Sequence, residues 1–167
     1  MSQFPEHIAT LDPVTQLYVS IDAATKESLK AIDRPLFKDF WERFLASLDQ
    51  LRKKGQRTVY RLTLVKDWNV EEVDEYVELI QRGRPDFIEI KSVTYCGKSD
   101  ASSLRITNVP YHKEVRQFSE AICAKLGGDY GLACEHAHSN LVLLAKTQFK
   151  VPECVPCGVW RRPDTQV

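Results

Sequence analysis

The sequence has no apolar run approaching the roughly 20 residues that a membrane-spanning helix needs. Its first residues, MSQFPEHI, do not have the architecture of a secretory signal, so we expect neither a membrane span nor a leader. An excess of one charge is also missing, because Lys plus Arg and Asp plus Glu both number 23. Bulk charge therefore does not indicate a nucleic-acid partner, although a local basic patch could still serve one.

The chain lacks an even set of cysteines that could all pair, because it has five cysteines among 167 residues. This count favours free thiols in a reducing compartment, and we expect a cytoplasmic protein. With 43% hydrophobic residues and no internal repeat, the sequence predicts a single domain with a real core. We assign residues 1–150 to this domain. Residues 151–167, which have no periodicity, are interpreted as a divergent, disordered tail.

Three stretches, residues 17–24, 59–67 and 87–93, alternate apolar and polar side chains as strands with two unlike faces do. Helical patterns separate them, which predicts parallel strands joined by crossover helices. Parallel strands are usually buried on both faces and uniformly apolar. The polar face of these strands therefore predicts a ligand-lined barrel interior, with helices covering the apolar face.

Helix ends are predicted from local capping signals. Asp33 is the predicted cap of the longest helix, and Gly55 its end. Asn69 is the predicted cap of the next helix, with Glu72 in the capping-box position and Gly83 as the stop. The other predicted elements are helices at residues 4–11, 25–31, 33–55, 69–83 and 110–126, and a final strand pair at 131–135 and 141–147.

Polar residues are concentrated at the carboxyl ends of the predicted strands, where βα folds place their catalytic and ligand-binding residues. Solvent exposure alone would also explain polar residues at strand ends. It does not explain polar residues in the middle of strands, namely Ser20, Arg61, Thr63 and Glu89. A buried Arg61 without a partner would cost several kcal/mol, so we expect it to pair with Glu89, Asp22 or a ligand carboxylate.

Two groups of soft ligands leave a zinc site open as an alternative. They are the pair Cys154 and Cys157 and the cluster Cys134, His136 and His138. Together these groups could complete a tetrahedral zinc shell, but a single Cys-x-x-Cys is weak evidence and more often belongs to a loose tail. We interpret Cys96 and Cys123 as packing thiols, because no nucleophile with a nearby base is recognisable.

Four segments resemble, in the right order, the tRNA 4-demethylwyosine synthases, a radical S-adenosylmethionine family of the wybutosine pathway. The segments are TQLYVSIDAATKESLKAIDRP, YRLTLVKDWN, PDFIEIKSVTY and ACEHAHSN, and the resemblance runs from about residue 4 to about residue 150. The resemblance implies an α/β fold, a partial (β/α) TIM-like radical-SAM barrel. The chain would form roughly its C-terminal half, with parallel strands and outer helices.

The same resemblance implies an activity. The family condenses N1-methylguanosine of phenylalanine tRNA with a two-carbon unit of pyruvate. This chemistry uses S-adenosylmethionine and a 4Fe–4S cluster, and eukaryotic members add a flavodoxin-like domain that binds FMN. The residues that would bind S-adenosylmethionine are Ser20, Asp22, Arg61, Thr63 and Lys66. Those that would face the substrate are Glu89, His136 and His138. Lys91 is the candidate catalytic residue, holding pyruvate by charge or as a Schiff base, unless it only pairs with Glu89.

The sequence also departs from the family. It has no Cys-x-x-x-Cys-x-x-Cys, the pattern that holds the family's cluster, so we expect no turnover from this chain alone. A non-catalytic remnant that binds tRNA or S-adenosylmethionine and a small zinc-stabilised α/β domain remain as alternatives. Three or four parallel strands do not close a barrel, so residues 17–24 should present an unpaired edge that promotes association.

Overall fold

The computed structural model describes residues 3–98 and 103–149. The helices are α1 Pro5–Thr10, α2 Lys26–Asp33, α3 Phe40–Lys54, α4 Val73–Gly83 and α5 His112–Lys125; the strands are β1 Leu17–Ile21, β2 Thr58–Leu64, β3 Phe87–Ser92, β4 Tyr130–His136 and β5 Leu141–Lys146. The fold is mixed α/β, as predicted. Within the described ranges, no helix has the length and apolarity to cross a membrane. The predicted tail at 151–167 lies outside the described residues.

The sheet has five strands in the order β1-β2-β3-β5-β4. The prediction of parallel strands is confirmed for β1, β2 and β3, which pair in parallel. The parallel arrangement does not extend to β5, which is antiparallel to both β3 and β4, whereas β4 runs in the same direction as β1–β3. The physical reason is the connection at residues 137–140, which is far shorter than the dozen or so residues that a parallel crossover needs.

The core lies between one face of this sheet and the helices. One row of paired residues across four strands, Ile21, Leu62, Ile90 and Val142, is at most 1% exposed. It packs in one cluster with buried side chains of the helices, among them Leu29, Phe44, Leu48, Ile80, Val115 and Ile122. Burying each side chain of this size contributes about 1.5–3 kcal/mol. The helical layer therefore fixes which face of the sheet is left for function.

The predicted cap at Asp33 is wrong. Helix α2 ends at Asp33, Arg34 has a left-handed φ of 48°, and α3 begins at Phe40 after Asp39. Pro35 explains the break, because the residue before a proline is disfavoured in the helical region. Leu36, which fits the apolar stripe of the longer helix in sequence, is 95% exposed. The predicted end at Gly55 is confirmed, since Gly55 caps α3 with a φ of 67°.

The predicted cap at Asn69 is also wrong. Helix α4 begins at Val73 with Glu72 in the cap position, and it ends at Gly83 as predicted. Asn69 and Glu72 bind other parts of the chain instead. The expected edge is confirmed, because β1 is the outermost strand of the described sheet. Whether this edge promotes association stays a prediction.

Candidate functional site

Polar side chains of the parallel strands share the face of the sheet opposite the helices, which we call the open face. The pairing places Ser20, Arg61 and Glu89 in one row, and Thr63 beside Lys91 in the next. Residues paired across neighbouring strands project to the same side, so these five side chains lie on one surface. The helices cover the other face, so this surface is open rather than shielded by them.

Arg61 and Glu89 form an ion pair in the middle of the open face. The Arg61 Nε to Glu89 Oε1 distance is 3.0 Å, and the two side chains are 46% and 16% exposed. Glu89 is therefore one of the partners predicted for Arg61, although Arg61 is not buried as expected. Among residues 3–98 and 103–149, Glu89 therefore forms its ion pair with Arg61 and not with Lys91.

The amino-terminal end of the open face is closed by an aromatic stack. Phe87 stacks on Phe149 with 5.0 Å between ring centroids, and the row neighbours Val59 and Ala145 are buried. Lys146 pairs with Asp86 at 3.0 Å beside this stack. The accessible part of the open face therefore lies toward the carboxyl ends of β1–β3. Sequence reasoning missed this closure.

Asn69 joins the carboxyl ends of β1 and β2. It is 1% exposed, and its Nδ2 donates to the carbonyl oxygens of Asp22 and Thr63, both at 2.9 Å. Its Oδ1 accepts from the Val65 N–H at 2.8 Å. One amide therefore satisfies three main-chain groups where the strands leave the sheet, which sequence reasoning interpreted as a local helix cap.

Glu72, at the N-cap of α4, binds the residues at the beginning of α2. Its Oε2 accepts from the Ala24 N–H at 3.0 Å, while Oε1 accepts from the hydroxyls of Thr25 and Ser28. Thr25 is the N-cap of α2, as predicted, accepting from the Ser28 N–H at 3.2 Å. A carboxylate at this position is favoured by the helix dipole.

The residues predicted to bind S-adenosylmethionine divide into three places. Ser20, Arg61 and Thr63 lie on the open face. Asp22 lines a surface depression of about 460 Å³ with Asp33 and residues 34–37. Burial, and secondly the charge of Asp22, raise the pKa of Asp33. The five residues are therefore not one compact cluster.

Lys66 occupies the third place, at the carboxyl end of β2. Its Nζ lies 2.7 Å from Glu114 Oε1 on α5 and 5.6 Å from the ring centroid of Tyr111. The Glu114 contact raises the pKa of Lys66, and the Lys66 contact lowers the pKa of Glu114. Both groups therefore stay charged across the neutral range.

His136 and His138 lie at the turn between β4 and β5, on the same edge of the sheet. Their ring centroids are 6.3 Å apart, and His136 Nδ1 is 2.7 Å from the Ser139 hydroxyl. His136 pairs with Leu141, which pairs with Lys91, so this histidine is in the same row as Lys91. The structure thus places His136 and Lys91 in one row of the sheet, with Leu141 of β5 between them.

The described residues do not form the proposed zinc site. Across residues 3–98 and 103–149, no group of three His, Cys, Asp or Glu side chains is placed to hold a metal, although Cys134, His136 and His138 are included. Cys154 and Cys157 lie outside the described residues. Cys123 packs against the core as predicted, whereas Cys96 is exposed and is not a packing thiol.

The cysteines that the structure describes do not fit a 4Fe–4S cluster either. Cys96 and Cys134 are exposed at separate places, and Cys123 is half-buried against the helical core. A cluster of this type needs several convergent thiolates. We therefore derive no chemical step through a cluster held by these residues.

The chain is similar to known proteins over most of its length. Residues 82–146 match a family model described as wyosine base formation. The chain is 66% identical to the S-adenosyl-L-methionine-dependent tRNA 4-demethylwyosine synthase of Oryza sativa over 90% of this chain and 23% of that protein. The synthase TYW1 of Danio rerio is 65% identical over 90% of this chain and 20% of that protein. The chain thus spans about a fifth of the length of these relatives.

Solved structures agree with this similarity. A structure of TYW1 with a lysine–pyruvate adduct superposes with a TM-score of 0.75 at 29% identity, covering 88% of this chain and 45% of that chain. The radical SAM enzyme HemN of Escherichia coli, at 14% identity, has the same fold with a TM-score of 0.59 over 88% of this chain and 33% of that chain. The molecule is therefore an α/β domain with the fold of radical S-adenosylmethionine enzymes. More particularly, it is a homologue of one segment of the tRNA 4-demethylwyosine synthases, as its sequence motifs predict.

Proposed function

We propose that this chain forms a substrate-facing wall of a tRNA 4-demethylwyosine synthase, in the C-terminal half of its barrel. The enzyme would act in the cytoplasm, condensing N1-methylguanosine of phenylalanine tRNA with a two-carbon unit of pyruvate. The observation that carries the proposal is the row Ser20, Arg61 and Glu89 on a helix-free face. The sequence identity of 66% over 90% of the chain supports the assignment to this enzyme.

The open face suits part of S-adenosylmethionine. Ser20 and Thr63 offer hydroxyls that can bond to ribose, and the guanidinium of Arg61 can bind the methionine carboxylate. A guanidinium has five N–H donors, so Arg61 can bind a ligand while it keeps Glu89. Asp22 and Lys66, at the strand ends, would contribute at the rim. When bound, S-adenosylmethionine supplies radical chemistry; a 4Fe–4S cluster and FMN would come from other parts of a full-length enzyme.

Lys91 is our candidate for binding pyruvate. Its ammonium lies in the row with Thr63 and, two strands away, His136, and it would bind a small carboxylate by charge. The solved structure of TYW1 has a lysine–pyruvate adduct bound, which supports a lysine in this role. An imine at Lys91 is therefore the rival role. Lys91→Arg keeps the charge but cannot form the imine, so retained activity of this variant would favour charge and lost activity would favour the imine.

A chimera tests the proposed function. Residues 3–149 replace the corresponding segment of the full-length rice enzyme, and 4-demethylwyosine formation is measured on phenylalanine tRNA. We expect activity within about tenfold of the parent, because most contacts of the segment are shared at 66% identity. Arg61→Ala should then lower kcat/KM about 10- to 100-fold, the loss expected for a charged hydrogen bond.

A matched arginine provides the control for this experiment. Arg82 also forms an exposed ion pair, with Asp49 at 2.7 Å, but it lies on helix α4 away from the open face. Arg82→Ala should leave turnover unchanged. A chimera that folds but makes no product, or equal losses from both arginine variants, would refute the proposal.

Without the family's cysteine triplet, this chain alone should not hold a stoichiometric 4Fe–4S cluster. Anaerobic reconstitution followed by absorbance and iron counting checks this prediction. If labelled S-adenosylmethionine binds to the chain while no product forms, the non-catalytic alternative applies to the isolated polypeptide. A full cluster on this chain would contradict the expectation.

A further inference from the structure

Tyr111 is a large aromatic residue that the core does not use. It is 75% exposed at the N-cap of α5, where the carboxyl edge of the sheet meets the preceding loop. Ile106, in the same loop, is 64% exposed. We call these two residues, together with Lys66, Arg105 and Lys113, the edge patch. Exposed aromatic and apolar side chains beside cations indicate a binding surface.

The edge patch is held in position by hydrogen bonds. Glu114 links Tyr111 to Lys66. Its Oε2 accepts from the Tyr111 N–H at 2.8 Å, and its Oε1 accepts from Lys66 Nζ at 2.7 Å. Asn108 fixes Lys66 from the loop, since the Lys66 N–H donates to the Asn108 carbonyl at 2.8 Å and Asn108 Nδ2 donates to the Lys66 carbonyl at 3.1 Å. An exposed ring on a braced backbone loses little entropy when it binds.

The charges of the patch favour an anionic partner. Glu114 neutralises Lys66, and Asp67 adds a negative charge that contacts Asn108 Nδ2 at 3.2 Å. Arg105 and Lys113 are both exposed, and no ion pair of either is among the described contacts of residues 3–98 and 103–149. These two cations therefore remain for phosphate groups.

We propose that Tyr111 stacks on an unpaired base of an RNA bound at the carboxyl edge, with Arg105 and Lys113 binding the adjacent phosphates. Aromatic rings and nearby cations are how proteins hold splayed bases of single-stranded RNA loops. The inference rests on the proposed function and deepens it. Lys66, whose Nζ lies 5.6 Å from the Tyr111 ring centroid, follows Thr63 of the open face by three residues, so the Cα atoms of Lys66 and Thr63 are at most roughly 10 Å apart.

Fluorescence anisotropy with a labelled RNA hairpin tests the stacking role. Tyr111→Ala in this chain should weaken binding of a hairpin with a single-stranded loop about 5- to 100-fold, the loss expected when one stacked base loses its aromatic partner. Tyr111→Phe should bind within about twofold of the unchanged chain, because the ring and not the hydroxyl carries the interaction. Leu36→Ala, at an exposed apolar residue on the connection before α3, should leave hairpin binding unchanged.

A duplex RNA without a loop separates stacking from charge. Tyr111→Ala should bind this duplex as the unchanged chain does, while Lys113→Ala should weaken binding to both RNAs. Equal hairpin affinities of the unchanged chain and Tyr111→Ala, or no hairpin binding by the unchanged chain, would overturn the inference. Turnover of the chimera judges the proposed function separately. In that chimera Tyr111→Ala should raise KM for tRNA with little change in kcat.

Discussion

Asn69→Asp should lower the free energy of unfolding by about 3 kcal/mol or more. The substitution removes both Nδ2 donors, which leaves the carbonyl oxygens of Asp22 and Thr63 without the bonds that Asn69 makes. A carboxylate would then face these two oxygens at a position that is 1% exposed. Burying an unpaired charge beside two acceptors costs free energy, and the variant also lacks the hydrogen bonds that link the ends of β1 and β2.

Urea unfolding followed by tryptophan fluorescence measures this effect, and Trp68 lies next to the changed residue. Asn140→Asp is the matched control, because Asn140 has a left-handed φ of 48° that Asp also tolerates. Its described hydrogen bonds within residues 103–149 and to Ser92 use only main-chain atoms. The control should unfold within about 0.5 kcal/mol of the unchanged chain. An Asn69→Asp protein as stable as this control would show that the two bonds donated by Asn69 Nδ2 contribute little.

Gly83→Ala should also destabilise the fold strongly, by about 3 kcal/mol. A methyl group at this last position of α4 would overlap the hydroxyl oxygen of Tyr60 and lie 2.7 Å from its Cζ atom. Tyr60 is fully buried in β2, so its ring cannot move aside without disturbing the core. Helix propensity alone favours alanine over glycine by about 1 kcal/mol, so it predicts the opposite sign.

A double variant separates the steric cause from other effects. Tyr60→Phe removes the oxygen that the new methyl would meet, and the Tyr60 hydroxyl has no hydrogen-bond partner among the described residues. Tyr60→Phe alone should therefore be neutral, while Tyr60→Phe combined with Gly83→Ala should recover part of the loss. Gly131→Ala in β4 is the control, since a methyl there meets no atom within 4 Å. Increased stability of Gly83→Ala would contradict the expected clash.

The three parallel strands and their two faces were predictable because alternation along a strand is a local signal. The row Ser20, Arg61 and Glu89 follows from that alternation once the strands lie in register. The direction of β5 was also within reach, because the connection at 137–140 allows only an antiparallel neighbour. Sequence analysis predicted β4 and β5 only as a final strand pair and did not use this short connection to assign their direction.

The helix caps failed for a different reason. Asn69 has the residue type of a cap, but one of its bonds reaches Asp22, 47 positions away. Glu72 has the type of a capping-box residue, yet its carboxylate serves α2 rather than α4. Lys66 and Glu114 are likewise distant in sequence and adjacent in space. No local pattern shows which of two possible partners a polar side chain will choose, because tertiary packing decides it.

The main-chain groups on the outer side of β1 have no neighbour among the five described strands. A strand added there in parallel would continue the register that Ser20 shares with Arg61. Every second side chain of the added strand would then project to the open face, on the same side as Ser20. The sequence of the added strand would therefore determine the polarity, charge and width of the ligand-binding surface. The register of β1 would therefore determine which side chains of an added strand reach the open face.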